Sequence, residues 1–311
     1  LNGVPQTVST AQPTVAWPAI PGVVYTLIEE LPAGPYLPQP ITCADAPDLD
    51  AQTPGYQISI DLLAEDRSIE CTADNIRQGN ITIIKVTEPA GDTTPVTFTP
   101  TWGDPFTTNG AEPQGVTSAL LPPGSYVVTE TVPSGWYLKS IVCSDDGSQP
   151  QALGVPGNGL DPRKELDLQA GEALTCTYTN VQLVGLTVTK TVDWGNPPAD
   201  ASQTFPVCVN GPSLANVCVD LKDGESRTFS DILPGSYTAS EEAPYGYELV
   251  AVEGSPAQVD AGTTASVTVR NKRLTSTIIV RKVTLPASAT QKFAFSGDLT
   301  GSIGNGEQIV K

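Results

Sequence analysis

The chain has 311 residues, a formal net charge of −18, no His, six Cys, 28 Gly and 29 Pro, and only 16% of its residues are charged. The acidic balance argues against nucleic acid or an anionic membrane as partner, because both need clustered Lys and Arg. The missing His removes any ordinary Ser-His-Asp triad. Together with the lack of a Cys-x-x-Cys pair, it also argues against zinc and, with paired cysteines, for an oxidising compartment.

Abundant Thr and Val, frequent turn residues and no long helical periodicity predict an all-β protein of two or three domains. No stretch approaches the length of a membrane-spanning helix, and no signal peptide or sorting motif is recognisable, so direct membrane insertion is not expected.

In chain order, residues 1–76 carry Tyr25, Glu29-Glu-Leu-Pro32 and Cys71-Thr-Ala-Asp-Asn75. Residues 77–181 run from Ile81-Thr-Ile-Ile-Lys85 through Tyr126 and Glu130-Thr-Val-Pro133 to Tyr178-Thr-Asn180. Residues 182–272 repeat the order, from Leu186-Thr-Val-Thr-Lys190 through Tyr237 and Glu241-Glu-Ala-Pro244 to Val269-Arg-Asn271. Residues 273–311 begin the pattern again with Ile278-Ile-Val-Arg-Lys282 and Phe293-Ala-Phe-Ser-Gly297. Two copies are complete. The third is cut, with its later part at 1–76 and its earlier part at 273–311. The expected architecture is a tandem array of β-sandwiches with one domain split between the termini and completed by a neighbouring unit. The intervals Asn75 to Lys85, Asn180 to Lys190 and Asn271 to Lys282 leave only short linkers, which predicts a semi-rigid rod.

The cysteines follow the repeat. Cys43 and Cys143 each lie seven residues after an aromatic, Tyr36 or Trp136, and Cys71 and Cys176 each lie four residues before the closing Asn. The remaining copy has Val267 at the second position and no Cys at the first, so both partners are absent together. Disulfides Cys43–Cys71 and Cys143–Cys176 are expected, with Cys208–Cys218 stapling a hairpin across a Gly-Pro turn.

Residues two apart share a face of a strand. Ile81, Ile83 and Lys85 share one, as do Leu186, Val188 and Lys190, and Ile278, Val280 and Lys282. The same parity places Glu130, Glu241 and Glu29, and Asn180, Asn271 and Asn75, on apolar faces. An isolated buried charge is very costly, so these groups should meet one another.

Gly124-Ser-Tyr-Val-Val-Thr-Glu-Thr-Val-Pro-Ser-Gly-Trp136, Gly235-Ser-Tyr-Thr-Ala-Ser-Glu-Glu-Ala-Pro-Tyr-Gly-Tyr247 and the closing strand Gly171-Glu-Ala-Leu-Thr-Cys-Thr-Tyr-Thr-Asn180 resemble the prealbumin-like repeat domains of bacterial surface proteins, including the B-type domains of Gram-positive collagen adhesins and pilins. The paired cysteines and the absence of a Leu-Pro-x-Thr-Gly motif depart from the pilins. The resemblance implies prealbumin-like, immunoglobulin-like sandwiches at the cell surface or in a secreted fibre, without turnover activity or cofactor. It also implies Lys–Asn isopeptide bonds assisted by an acidic residue. The trios would be Lys85, Glu130 and Asn180; Lys190, Glu241 and Asn271; and Lys282, Glu29 and Asn75. Two simpler arrangements remain: a non-covalent Lys–Glu–Asn cluster, or a Lys snorkelling to water at the rim.

The function this implies is that of a structural repeat unit of an extracellular fibre, stalk or pilus-like filament. Its partner would be itself, head to tail with adjacent copies, as a continuous array or as strand-donating protomers. The alternative is an adhesin that binds a matrix or glycan ligand through a sandwich face or loops; a hydrolase is a third reading, opposed by the missing His. Asp45-Ala-Pro-Asp48-Leu-Asp50 lacks the Gly and terminal Glu of a calcium loop and reads as a solvated acidic loop, so no metal is expected. Asp145-Asp146-Gly147 reads as a turn, the four Trp as packing residues, and Asn80-Ile-Thr82 fits the glycosylation acceptor pattern.

Overall fold

The computed structural model describes residues 14–30, 33–44, 69–144, 161–196 and 198–311, and the backbone of 57–61. The acidic segment 45–50 and Asp145-Asp146 lie outside the described residues. The chain divides into two units, Leu1–Val181 and Gln182–Lys311.

The first unit opens with β1 (Val24–Ile28), β2 (Tyr36–Pro38), β3 (Thr42–Cys43), β4 (Gln57–Asp61), β5 (Cys71–Thr72) and β6 (Asn75–Arg77). These pair two by two and antiparallel, β1 with β4, β2 with β6 and β3 with β5. There follow β7 (Asn80–Glu88), β8 (Val96–Pro100), β9 (Phe106–Thr108), β10 (Val116–Thr117), β11 (Gly124–Thr131), β12 (Trp136–Cys143), β13 (Arg163–Leu168) and β14 (Ala173–Gln182). These eight form a sandwich of two four-stranded sheets, β10-β7-β14-β12 and β13-β11-β8-β9.

The second unit repeats the plan with β15 (Val184–Asp193), β16 (Phe205–Gly211), β17 (Leu214–Leu221), β18 (Ser226–Ile232), β19 (Gly235–Glu241), β20 (Tyr247–Glu253), β21 (Ala257–Val259) and β22 (Thr264–Arg273). Its sheets are β18-β15-β22-β20 and β17-β16-β19-β21. Four short strands close the chain, β23 (Ile279–Arg281), β24 (Phe293–Phe295), β25 (Gly301–Ile303) and β26 (Gln308–Val310), with β23 paired to β26 and β24 to β25.

Alternation builds both cores. Along β7, Ile81, Ile83 and Lys85 are buried while Thr82 and Ile84 are only half covered, so every second side chain enters the sandwich. The outer face keeps polar cross-strand pairs such as Thr82 with Thr117 and Thr187 with Thr228. Phe98 packs edge-on against Tyr178 in the first core, and Leu186, Val188, Val207 and Val209 are among the buried residues of the second.

One pairing is unusual for an otherwise antiparallel sandwich. The first and last strands of each domain run side by side and parallel, β7 with β14 and β15 with β22. A parallel pair needs a long crossover, and here the whole domain is that crossover. Lys85 lies opposite Tyr178 and Lys190 opposite Val269, each two residues short of the closing Asn.

Disulfides join Cys43 to Cys71, Cys143 to Cys176 and Cys208 to Cys218. These are the pairs expected from the repeat. Cys143–Cys176 ties β12 to β14 inside the first core, whereas Cys208–Cys218 bridges directly opposed residues of the β16–β17 hairpin, with Cys218 exposed. Replacing both Cys143 and Cys176 by Ala is expected to cost about 3–4 kcal/mol, from the loop the bond closes, and replacing Cys208 and Cys218 to cost less, because their loop is shorter. Denaturant unfolding of the two double variants checks the order.

Candidate functional site

In each complete sandwich a Lys from the first strand, a Glu from the middle strand and an Asn from the last strand meet in the interior. The order of strands causes this. The first and last strands are neighbours in one sheet, and the Glu strand crosses opposite them in the other.

In the first sandwich Lys85 Nζ lies 3.3 Å from Glu130 Oε1 and donates to the Tyr178 carbonyl at 3.2 Å. The Asn180 amide donates to the same Glu130 oxygen through a short hydrogen bond. The Lys85 and Glu130 side chains are fully covered. Glu130 Oε2, Asn180 Oδ1 and the Tyr178 hydroxyl are buried without a hydrogen-bond partner among the described residues. Polar atoms in that state carry a desolvation cost that the fold retains.

In the second sandwich Lys190 Nζ lies 2.8 Å from Glu241 Oε2 and donates to Asn271 Oδ1 at 2.6 Å. Asn271 donates its amide to Glu241 Oε1 through a short hydrogen bond. The Lys190 head also sits 4.5 Å from the centre of the Phe205 ring, so the aromatic face helps hold the nitrogen inside the sandwich.

Burial opposes charge on these groups. It lowers the pKa of Lys85 to about 8, with the Glu130 carboxylate working in the opposite direction. Burial likewise raises the Glu130 carboxyl above its ordinary value, against the pull of Lys85 and Asn180. Lys190 is lowered by burial and partly restored by Glu241. The Tyr178 hydroxyl is raised by burial and by the nearby Glu130 charge. A lowered Lys beside a raised Glu favours moving one proton from amine to carboxyl. That leaves a neutral amine facing a primary amide, with a protonated acid bonded to the amide: a nucleophile, an electrophile and an acid in one dry site.

The third trio is placed differently. The Asn75 amide donates to Glu29 Oε1 at 2.5 Å in the first unit. Lys282 belongs to the second unit, where its Nζ lies 4.2 Å from the centre of the Phe293 ring. Residue spacing does not reveal the aromatic partners of Lys190 and Lys282, although a Phe (Phe98, Phe205, Phe293) follows each of the three Lys within a similar span. Asn80 of the acceptor pattern is half-buried within β7. Trp102 packs edge-on against Tyr126, and Trp194 against Tyr247. Among the described residues no three His, Cys, Asp or Glu side chains are grouped to hold a metal, and no helix is long and apolar enough to cross a membrane.

Two family models match the chain, both described as SpaA prealbumin-like fold domains, over residues 81–182 and 182–278. No curated protein matches the sequence. Among solved structures the chain is similar to the Bacillus anthracis TIE protein, with 15% identity and a TM-score of 0.34 over 93% of this chain and 60% of that one. It therefore spans 60% of the length of that relative. It is also similar to the shaft pilin SpaA of Lactobacillus rhamnosus GG, with 14% identity and a TM-score of 0.21 over 64% of this chain and 99% of that one. Two B repeats of the collagen binding protein of Staphylococcus aureus align with 12% identity and a TM-score of 0.23, over 70% of this chain and 88% of that one.

The Lys85 shift predicts a pH dependence in a chain that keeps its free amine, such as Asn180→Ala. Between pH about 8 and 10.5 the unfolded Lys holds a proton that the folded Lys has released, so stability from this group rises with pH. Glu130 acts with the opposite sign above 4.5, because the folded carboxyl keeps a proton that the unfolded one loses. Urea unfolding across the alkaline window should show the rise in Asn180→Ala and a flatter profile when Lys85→Met is added.

Proposed function

From a chain that belongs to the SpaA prealbumin-like domain family, we infer a structural segment of an extracellular fibre, stalk or pilus-like filament at the cell surface or in secreted form. Its sandwiches are locked by Lys85–Asn180 and Lys190–Asn271 isopeptide bonds. Lys282, Glu29 and Asn75 are a third set of the same kind. The observation that carries this reading is the meeting of amine, carboxyl and amide inside each complete sandwich, with a buried Lys85–Glu130 or Lys190–Glu241 contact and the Asn amide bonded to that Glu.

The reaction balances without any outside reagent. The Lys passes a proton to Glu, and its neutral Nζ attacks the side-chain carbonyl carbon of Asn. The Glu carboxyl gives that proton to the amide nitrogen as the carbon–nitrogen bond breaks and takes up the second proton that the attacking nitrogen sheds. One C–N bond forms, one breaks, and ammonia leaves. The Glu is left as a neutral carboxyl holding the extra proton that the Lys ammonium brought, and the event happens once per domain, so the chain performs no turnover.

The mechanical consequence follows from topology. Tension along the chain enters the first sandwich through β7 and leaves through β14, which are adjacent parallel strands. A bond from Lys85 to Asn180 passes the load directly between them, and the rest of the domain is shielded. The same holds for β15 and β22 in the second sandwich. The Cys143–Cys176 disulfide adds a second tie to β14. Constraining the unfolded state in this way also resists proteolysis and thermal unfolding. The partner of such a segment is another copy of itself, head to tail.

Intact-mass measurement tests the bonds. The purified chain is expected to weigh less than its sequence by one ammonia for each bond formed. Glu130→Ala and Glu241→Ala should each restore one ammonia and lower the thermal midpoint of their own sandwich. An unmodified wild-type mass under denaturing conditions overturns the covalent reading.

A further inference from the structure

The four short strands at 278–310 repeat the first half of the second sandwich, contact by contact. In that sandwich Lys190 donates its backbone N–H to the Glu225 carbonyl and accepts from Gly224, while Lys222 donates to the Glu225 side chain. Lys282 donates to the Glu307 carbonyl and accepts from Gly306, while Gly304 donates to the Glu307 side chain. Gly224 and Gly306 share the left-handed conformation that this turn requires, with φ of 76° and 80°. Phe205 pairs with Leu221 as Phe293 pairs with Ile303, and Leu221 and Ile303 are both buried. Lys190 and Lys282 each lie against the ring of the matching Phe.

Strands β1–β6 repeat the second half in the same way. Tyr25 lies opposite Ile60 as Tyr237 lies opposite Ala257, and Tyr36 opposite Arg77 as Tyr247 opposite Arg273. Asn75 donates to Glu29 as Asn271 donates to Glu241. Each segment therefore holds the internal pairings of one half of a sandwich. What neither holds is the pair of seams that join the halves, which in the second sandwich are β15 with β22 and β16 with β19.

The side chains along those seams show the consequence. Leu186 is 0% exposed, whereas Ile278, at the same place before its Lys, is 56% exposed. Phe205 and Tyr237 are likewise 0% exposed, whereas Phe293 at the place of Phe205 is 39% exposed, and Tyr25 and Leu27 on the inner face of β1 are only half-buried. On the polar side, Glu29 Oε2 is buried and has no hydrogen-bond partner among the described residues, although the carboxylate stands beside Asn75. In the complete sandwiches a Lys amine comes within 3.3 Å of the corresponding Glu. Among the described residues no ion pair joins Glu29 to a cation or Lys282 to a carboxylate.

We propose that strands β23–β26 of one copy of the chain dock onto strands β1–β6 of a second copy, completing a third sandwich in which Lys282 reaches the Glu29–Asn75 pair. The occupant is fixed by complementarity on three counts: missing seams, apolar residues open on both sides, and one Lys for one unsatisfied carboxylate. The register of the complete domains carries over. β23 lies parallel to the Asn75 strand with Val280 opposite Cys71 and Lys282 opposite Ala73, as Val188 lies opposite Val267 and Lys190 opposite Val269. β24 lies antiparallel to β1 with Phe295 opposite Glu29, as Val207 lies opposite Glu241. Main-chain hydrogen bonds supply affinity along both seams, and the buried Lys–Glu contact sets the register.

The proposal rests on the head-to-tail reading but not on isopeptide formation, so the two can fail separately. Light scattering after size exclusion of the full chain is expected to show species larger than two copies, growing with concentration. Lys282→Ala removes the donor function and Glu29→Ala the acceptor function, each outside the two complete cores. Each variant alone is expected to associate at least about tenfold more weakly, a change of about 1.4 kcal/mol. Mixed together they should recover two-copy species and stop there, because only one joint can form. Thermal unfolding of both complete sandwiches should remain as in wild type, and intact masses of the same samples report the internal bonds independently. A wild-type chain that stays single at every concentration overturns the proposal. So do variants that assemble like wild type, or a mixture that assembles no better than its components.

Discussion

Everything distinctive in the two complete sandwiches depends on a buried Lys whose charge is paired, among the described residues, with one carboxylate. A lone ammonium in an apolar core is prohibitively expensive, and removing one member of a buried pair costs several kcal/mol. The fold therefore has to deliver Glu130 to Lys85, and Glu241 to Lys190, within ion-pair distance. It does so by packing the Glu strand of one sheet across the parallel first and last strands of the other, which themselves bring Lys and Asn together. Stability of the core and the meeting of amine, carboxyl and amide follow from that arrangement, as does the load path in the proposed fibre.

The two complete clusters solve the same problem with different contacts. Lys190 reaches both Glu241 and the Asn271 oxygen and rests against Phe205. Lys85 reaches Glu130 and, as Lys190 does, the carbonyl two residues before the Asn, while Asn180 Oδ1 has no partner among the described residues. Tyr178, opposite Lys85 in the register, occupies the first core where Val269 stands in the second. Its ring packs on Phe98 and its hydroxyl remains unsatisfied beside Glu130, which adds polar cost to an already dry site. The first domain carries the core disulfide and the second does not. The domain with the more poorly satisfied cluster is thus the one with the additional tie.

Much of this was legible from residue spacing. Parity along the strands placed Lys85, Glu130 and Asn180 on apolar faces, and the joint absence of two cysteines from one copy identified the partners in the others. The parallel seam was not legible, because strand pairing across a whole domain leaves no local signature. The Phe against Lys190 and Lys282 escaped for a related reason. A recurrent aromatic in an apolar strand reads as core, and only the packing of one sheet on the other shows that Phe205 meets the amine of Lys190. The individual oxygens of Glu130 and Glu241 that serve Lys and Asn are a matter of rotamers, on which sequence is silent.

The terminal segments extend the same logic from domain to assembly. In the proposed third sandwich, division between the second and third strand pairs leaves two halves that keep their hairpins and lack both seams. Such edges normally invite indiscriminate pairing, and proteins blunt them with charge or cover. Here the edges carry a selective device: a seam that pairs in the wrong register strands Lys282 without a carboxylate and leaves Glu29 unsatisfied. A one-residue slip would turn Ile278, Val280 and Lys282 to the opposite face together. In the proposed assembly the cost of misplacing one buried charge is a register check, so the interaction that organises each complete domain would also select how one copy meets the next.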